Sequence, residues 1–155
     1  MNLISVGNGQ LTLRGKPGRR FFEDITSLNL SRIITLLSER EGASELGQLV
    51  LTHDIQWTWI PLENAQYPTG DSHELLKANL PVISSYLDAG ESILIHCAAG
   101  IHRTGMLAYA VLRYRGYSIE QAQSMIAEMR QHTQNGMHDK HFEWGEAVIL
   151  ELKNS

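Results

Sequence analysis

The chain has 155 residues, 43% of them hydrophobic and 19% charged, which suggests one globular domain spanning residues 1–155 with enough interior for a real core. Its net charge of −4 argues against a dedicated nucleic-acid binder. A single cysteine excludes an internal disulfide and a thiolate metal cage. The opening MNLISVGNGQ lacks the basic flank and apolar core of a signal peptide, and no apolar run is long enough to span a membrane. A reducing, cytoplasmic setting is therefore expected, where a thiol persists.

In chain order, two short apolar runs around Gly7-Asn8-Gly9 predict a hairpin or turn. RGKPGRR, residues 14–20, reads as a loop carrying Arg14, Lys16, Arg19 and Arg20. FFEDITSLNLS is compatible with a short helix, and RIITLLS is a buried strand. EGASELGQLVLTHD has helical spacing at Leu46, Leu49 and Val50, and IQWTWIPL alternates as a strand that stops at Pro61. Period two puts Trp57 and Trp59 on one face, where core packing is the preferred reading. ENAQYPTGD is a loop, after which Asp71 or Ser72 caps a helix that ends at Gly90. SILIH is the next strand, and Thr104 to Arg115 the next helix. Ser118 and Gln121 form a capping box at the head of another helix, and His141 to Leu152 closes the chain as a last one. His132, His138 and His141 match no zinc spacing and read as a loop with scattered histidines. Strands alternating with helices predict an α/β fold: a mostly parallel central sheet flanked by helices on both faces.

The stretch SILIHCAAGIHRTGMLAYAVLRY carries the chemistry. In open α/β sheets, ligands sit beyond the carboxyl ends of the strands, and Cys97 follows SILIH at such an end. The turn after it leads straight to a helix N-terminus, where backbone N–H groups and the helix dipole favour an anion. Ala98, Ala99 and Gly100 are small enough for a ligand to approach the backbone. The same field stabilises a thiolate at Cys97. Arg103 adds a planar cation able to grip two phosphate oxygens at once. A thiolate, a ring of N–H donors and a bidentate arginine are what attack on a phosphate monoester needs.

HCAAGIHRTG resembles the signature of the cysteine-dependent protein tyrosine phosphatase superfamily: His-Cys, five residues, Arg, then Ser or Thr. Its late position in the chain, and RIITLLSEREGASELGQLVLTHDIQWTWIPLENAQYP upstream, are similar to the compact dual-specificity branch, in particular to cyclin-dependent-kinase-associated phosphatases. The resemblance implies that Cys97 attacks phosphorus and forms a cysteinyl-phosphate. It implies that the N–H groups of Ala98, Ala99, Gly100, Ile101, His102 and Arg103 hold the phosphate oxygens. Arg103 would bind substrate and stabilise the transition state, Thr104 would donate to the Cys97 sulfur, and His96 would order the loop. No metal and no cofactor are implied. The partner would be a phosphorylated protein or a small phosphorylated molecule, with nucleic acid entering only as an RNA 5′ end. Phosphotyrosine is the first expected substrate class, with phosphoserine and phosphothreonine beside it.

One position departs from the pattern. The family supplies a general acid, an aspartate, from the loop after the preceding strand. IPLEN puts Asn64 there, and asparagine cannot donate a proton as an acid. Asp71, expected in the same loop, is the preferred substitute, with helix capping as its competing role. A leaving group that needs little protonation offers another way out. Phosphoanhydrides, such as RNA 5′-triphosphates or inositol pyrophosphates, have one, and a polar residue before the arginine, here His102, accompanies such substrates in the family. A phosphate-binding module without turnover is the remaining alternative.

Overall fold

Every apolar run read as a strand joins one sheet. A computed structural model describes residues 1–155 and orders five strands as β1-β2-β5-β3-β4. These are β1 (Ile4–Val6), β2 (Gly9–Arg14), β3 (Arg32–Thr35), β4 (Gln56–Trp59) and β5 (Ser92–His96). β2, β5, β3 and β4 run parallel, and β1 alone returns antiparallel through the tight turn that pairs Val6 with Gly9. β5 is central, with Ile95 opposite Leu13 on one side and Ile34 on the other. This accounts for its unbroken apolar sequence: a middle strand of a parallel sheet has no solvent face.

Seven α-helices cover the two faces: α1 (Arg19–Glu23), α2 (Ala43–Thr52), α3 (Gly70–Asp88), α4 (His102–Tyr114), α5 (Ile119–Met129), α6 (Gln131–Gly136) and α7 (Asp139–Lys153). The alternation of strand side chains sorts the interior into two layers. Leu11, Leu13, Ile34, Ile93 and Ile95 face the larger layer, with α3, α4, α5 and α7. Ile33 and Leu94 face the smaller one, with α1, α2, Trp57 and Trp59. The two indoles stack at 5.8 Å against that smaller layer, as the core reading of them expects. Helix α4 is the centre of the larger layer, and everything from Arg103 to Leu112 in it is buried. The helix that leaves the Cys97 turn is thus fixed by the core rather than by its own propensity. No helix is long and apolar enough to cross a membrane.

Several local expectations are corrected. The RGKPGRR segment is not all loop, since Arg19 and Arg20 open α1. Helix α3 begins at Gly70, so Asp71 lies in its first turn, and the N-cap is Thr69 rather than Asp71 or Ser72. The helix runs on through Pro81 to Asp88, and Gly90, just beyond the cap, takes the left-handed φ of 88° that a helix terminus favours in glycine. The histidine-bearing segment is not a loop either. α6 occupies residues 131–136, His138 caps α7, and His141 lies in its first turn, fully buried. The capping box of Ser118 and Gln121 is present as read.

Candidate active site

Cys97 leaves the end of β5, and the chain turns through residues 98–101 into α4, the strand–turn–helix order the sequence implied. The turn is held from outside. The Ala98 carbonyl accepts from Lys16 N at 2.8 Å. The Ala99 and Gly100 carbonyls accept from Arg130 Nη1 at 3.0 and 2.9 Å, and Gly100 accepts again from Thr133 Oγ1 at 2.5 Å. With these carbonyls drawn outward, the N–H groups from Ala98 to Arg103 are left with no acceptor in the protein. Ala98 and Ala99 are exposed, so donors of this run face solvent, and a turn of such N–H groups at the head of a helix can hold an anion as a cup. Gly100 makes the bend possible: its φ is 73°, and a Cβ there would lie 2.2–2.4 Å from the backbone of Arg14 and Gly15.

His96 fixes the cup from below, and its tautomer follows from its partners. Trp57 Nε1 can only donate, and it donates to Thr35 Oγ1 at 2.8 Å. The Cys97 carbonyl can only accept, so His96 Nδ1–H donates to it at 3.0 Å. His96 Nε2 therefore accepts from the Thr35 hydroxyl at 2.8 Å. Burial pushes the His96 pKa down to about 4, against the pull of the Cys97 carbonyl and with help from the charges of Arg14, Lys16 and Arg103. The ring is neutral at physiological pH, and the relay from indole to carbonyl is static.

Arg103 is buried, and Glu41 holds it end-on. Nη1 and Nη2 donate to Oε1 and Oε2 at 2.8 and 2.9 Å, while Nη1 also donates to the Leu62 carbonyl at 2.9 Å. Three of the five guanidinium protons are thereby committed. Nε–H and the second Nη2–H, which point the same way, remain as a fork for two oxygens of a ligand. The guanidinium is held above its ordinary pKa, first by the Glu41 bonds, against burial, and further by the Cys97 sulfur. Glu41 in turn is lowered to about 2, first by Arg103, against burial, with Ser38 N–H and Oγ also donating to it. Sequence reasoning missed Glu41. Its signal was the capping-box spacing of Ser38 and Glu41 in SERE, which the structure shows closed.

Two acid-labile elements follow. An unfolded chain binds a proton at His96 from about pH 6.5 down, and the folded one only near 4. Stability therefore falls as pH drops through that window. Glu41 contributes stability above its ordinary value of 4.5, and this is lost as pH falls toward 2. Urea midpoints at pH 7, 5 and 3 check both: His96→Asn should shrink the loss between 7 and 5, and Glu41→Gln the loss between 5 and 3.

The other predicted residues fall as follows. Thr104 is fully buried, and its hydroxyl makes no hydrogen bond, so the expected bond to the Cys97 sulfur is not formed. His102 does not face solvent freely: Nε2–H donates to the Gly136 carbonyl at 3.0 Å, and the ring stacks on His138 and His141. Asn64 Oδ1 accepts from Gln66 N–H at 3.0 Å, closing its own turn. Glu63 pairs with Arg40 at 2.8 Å. Asp71, expected in the loop as the acid, is exposed on α3 and makes no hydrogen bond. The polar pocket of about 180 Å³ beside that loop is lined by Thr69 and Ser72 but not by Asp71. Of the basic segment, Lys16 turns in to donate Nζ to the Glu41 carbonyl at 2.7 Å, Arg14 covers the Phe21 ring at 4.4 Å, and Arg19 and Arg20 stay exposed.

A central parallel strand that delivers a cysteine into an anion cup closed by an arginine defines the fold and site of the cysteine-dependent phosphatases. Within them the family described as dual specificity phosphatase, catalytic domain, matches residues 25–142, and the chain belongs to it. The protein is a phosphatase, a hydrolase of the compact dual-specificity kind. Solved structures share the fold. Kinase associated phosphatase (KAP), with its catalytic-site cysteine replaced by serine, is 17% identical over 94% of this chain and 88% of its own, with a TM-score of 0.74. PTPMT1 in complex with PI(5)P is 17% identical over 98% and 97%, with a TM-score of 0.73. The core catalytic domain of the PP-IP phosphatase SIW14 from S. cerevisiae is 18% identical over 97% and 87%, with a TM-score of 0.66. No curated protein sequence matches the chain.

Proposed function

We propose that this phosphatase hydrolyses phosphate monoesters through a cysteinyl-phosphate, with phosphotyrosine in proteins as its first substrate class. The observation that carries the reading is the run of N–H groups from Ala98 to Arg103 without an acceptor, beside the free Nε–Nη2 edge of Arg103. The Cys97 thiolate attacks phosphorus, an S–P bond forms, and the P–O ester bond breaks with its electron pair on the leaving oxygen. Water then attacks phosphorus, the S–P bond breaks, and phosphate leaves with the thiolate restored. The N–H groups and Arg103 carry the charge on the equatorial oxygens in both steps, so the chemistry calls for no metal. Thr104, whose buried hydroxyl has no other partner, is assigned to the second step as the donor to the departing sulfur. His96 orders the loop through the Cys97 carbonyl.

The leaving-group side favours a second reading. Asn64 closes its own turn, Glu63 lines the pocket but is paired with Arg40, and Asp71 is exposed on α3 and does not line the pocket. With Glu63 paired to Arg40 as the one carboxylate lining that pocket, esters of alcohols with high pKa would react slowly, and phenols and phosphoanhydrides, which leave as anions, would be preferred. The SIW14 structure is that of a PP-IP phosphatase, and the same chemistry in this chain would place phosphoanhydrides beside aryl phosphates. A panel of a phosphotyrosine peptide, a phosphoserine peptide, an inositol pyrophosphate and an RNA 5′-triphosphate, assayed with chelator and reductant, decides. Both aryl and anhydride substrates should exceed phosphoserine by at least about tenfold in kcat/KM. Parity with phosphoserine would mean that an acid is present after all, and turnover that requires a metal would remove the proposal.

A further inference from the structure

The loop that bears Asn64 has no regular structure, yet two side chains of α7 hold it. Lys140 Nζ donates to Gln66 Oε1 at 3.2 Å, an exposed contact. His141 is fully buried, and its Nε2 lies 3.1 Å from the Ala65 carbonyl. A carbonyl only accepts, so Nε2 carries the proton. Nδ1 accordingly accepts from His138 N–H at 3.0 Å. The ring is spent at both ends, one tying down the loop and the other capping α7. Its faces are used as well: His102, from the anion cup, stacks on it with centroids 5.1 Å apart and planes 18° apart. His102 is itself tethered to Gly136 at the end of α6, and a Cβ on Gly136 would lie 2.6 Å from Ile101. The far end of the loop is fixed by the Leu62 carbonyl on Arg103.

We propose that His141 is a positioning residue that latches the Asn64 loop against the anion cup through its Nε2–H bond to Ala65 and its stack on His102. The inference rests on the phosphatase reading above for what the latch serves. A loop that supplies no acid still walls the leaving-group side and excludes water, and it can do so only if its backbone is held. Burial keeps the ring below its ordinary pKa, against the Ala65 carbonyl, and the surrounding His102, Lys140 and His138 act in the same direction as burial. The neutral tautomer that the two bonds need is therefore the stable one.

The two ends of the ring separate latch from cap. Asparagine at 141 keeps an acceptor where Nδ1 was and loses the donor to Ala65. Glutamine keeps a donor where Nε2 was and loses the cap. Amide hydrogen exchange at Leu62 and Gln66, the hydrogen-bonded N–H groups of the loop, should accelerate at least about tenfold in His141→Asn and stay within about twofold of wild type in His141→Gln. With an aryl phosphate, kcat/KM should fall about tenfold in His141→Asn, and inorganic phosphate affinity should hold within about twofold, because Lys16, Arg130 and Thr133 hold the cup from its other side. Unchanged exchange in His141→Asn, or equal acceleration in both variants, overturns the proposal. Exchange reads the latch without turnover, so a wild-type protein inactive on every phosphate ester would count against the phosphatase reading alone.

Discussion

Replacement of Cys97 by serine is expected to lower turnover by at least about 10⁴-fold while leaving phosphotyrosine-peptide affinity within a few-fold. The two halves of this result come from different atoms. Serine keeps the shape of the site but offers an oxygen that is a far weaker nucleophile toward phosphorus than sulfur. The cup is untouched, because its carbonyls are held by Lys16, Arg130 and Thr133 and its arginine by Glu41. Calorimetric titration of the variant with the peptide and a single-turnover assay measure the two halves separately. Turnover near that of wild type would remove the cysteinyl-phosphate. Loss of binding along with turnover would show that the sulfur, not the amide cup, carries the affinity.

The second large effect is expected at a residue that need not touch the substrate. Glu41→Gln should reduce kcat/KM by about 10²-fold with the fold intact. Glutamine keeps one acceptor and loses the charge, so Arg103 exchanges a charged two-point clamp for a single neutral bond. The side chain is then free to rotate about its last torsions, and the Nε–Nη2 edge no longer stays aimed at the cup. Misalignment of this kind lowers the rate without removing any reacting group. Circular dichroism distinguishes it from unfolding, and kcat/KM on an aryl phosphate gives its size. A variant as active as wild type would mean that the Leu36 and Leu62 carbonyls, also within reach of Nη1, suffice to orient Arg103.

What was legible in the sequence was whatever is local along the chain. The end of β5, the turn and the start of α4 are contiguous, and Cys97, Gly100 and Arg103 could be placed by spacing alone. The clamps that make the site work are not local. Glu41 and Arg103 are 62 residues apart, Arg130 and Gly100 are 30 apart, and His141 and Ala65 are 76 apart. No periodicity links such pairs, so Glu41 and Arg130 went unread and the histidines looked scattered. Helix α6 was missed for a related reason. QHTQNG contains weak helix formers, and the helix is held by Thr133 and Arg130 bonding to the cup, not by its own propensity. Asp71 shows how much one turn of helix matters. The start of α3 at Gly70 moved that carboxylate from the loop to an exposed helix surface.

The chain of bonds from Trp57 through Thr35 and His96 to the Cys97 carbonyl gives the protein an optical probe of its own. A bound oxyanion that shifts the Cys97 carbonyl would alter the hydrogen bond at the Trp57 indole and so its emission. Trp59, stacked on Trp57, shares that emission, while Trp144 lies in the opposite layer with its Nε1–H on His73. A change in the ultraviolet fluorescence of the unlabelled chain on addition of inorganic phosphate is the expected result.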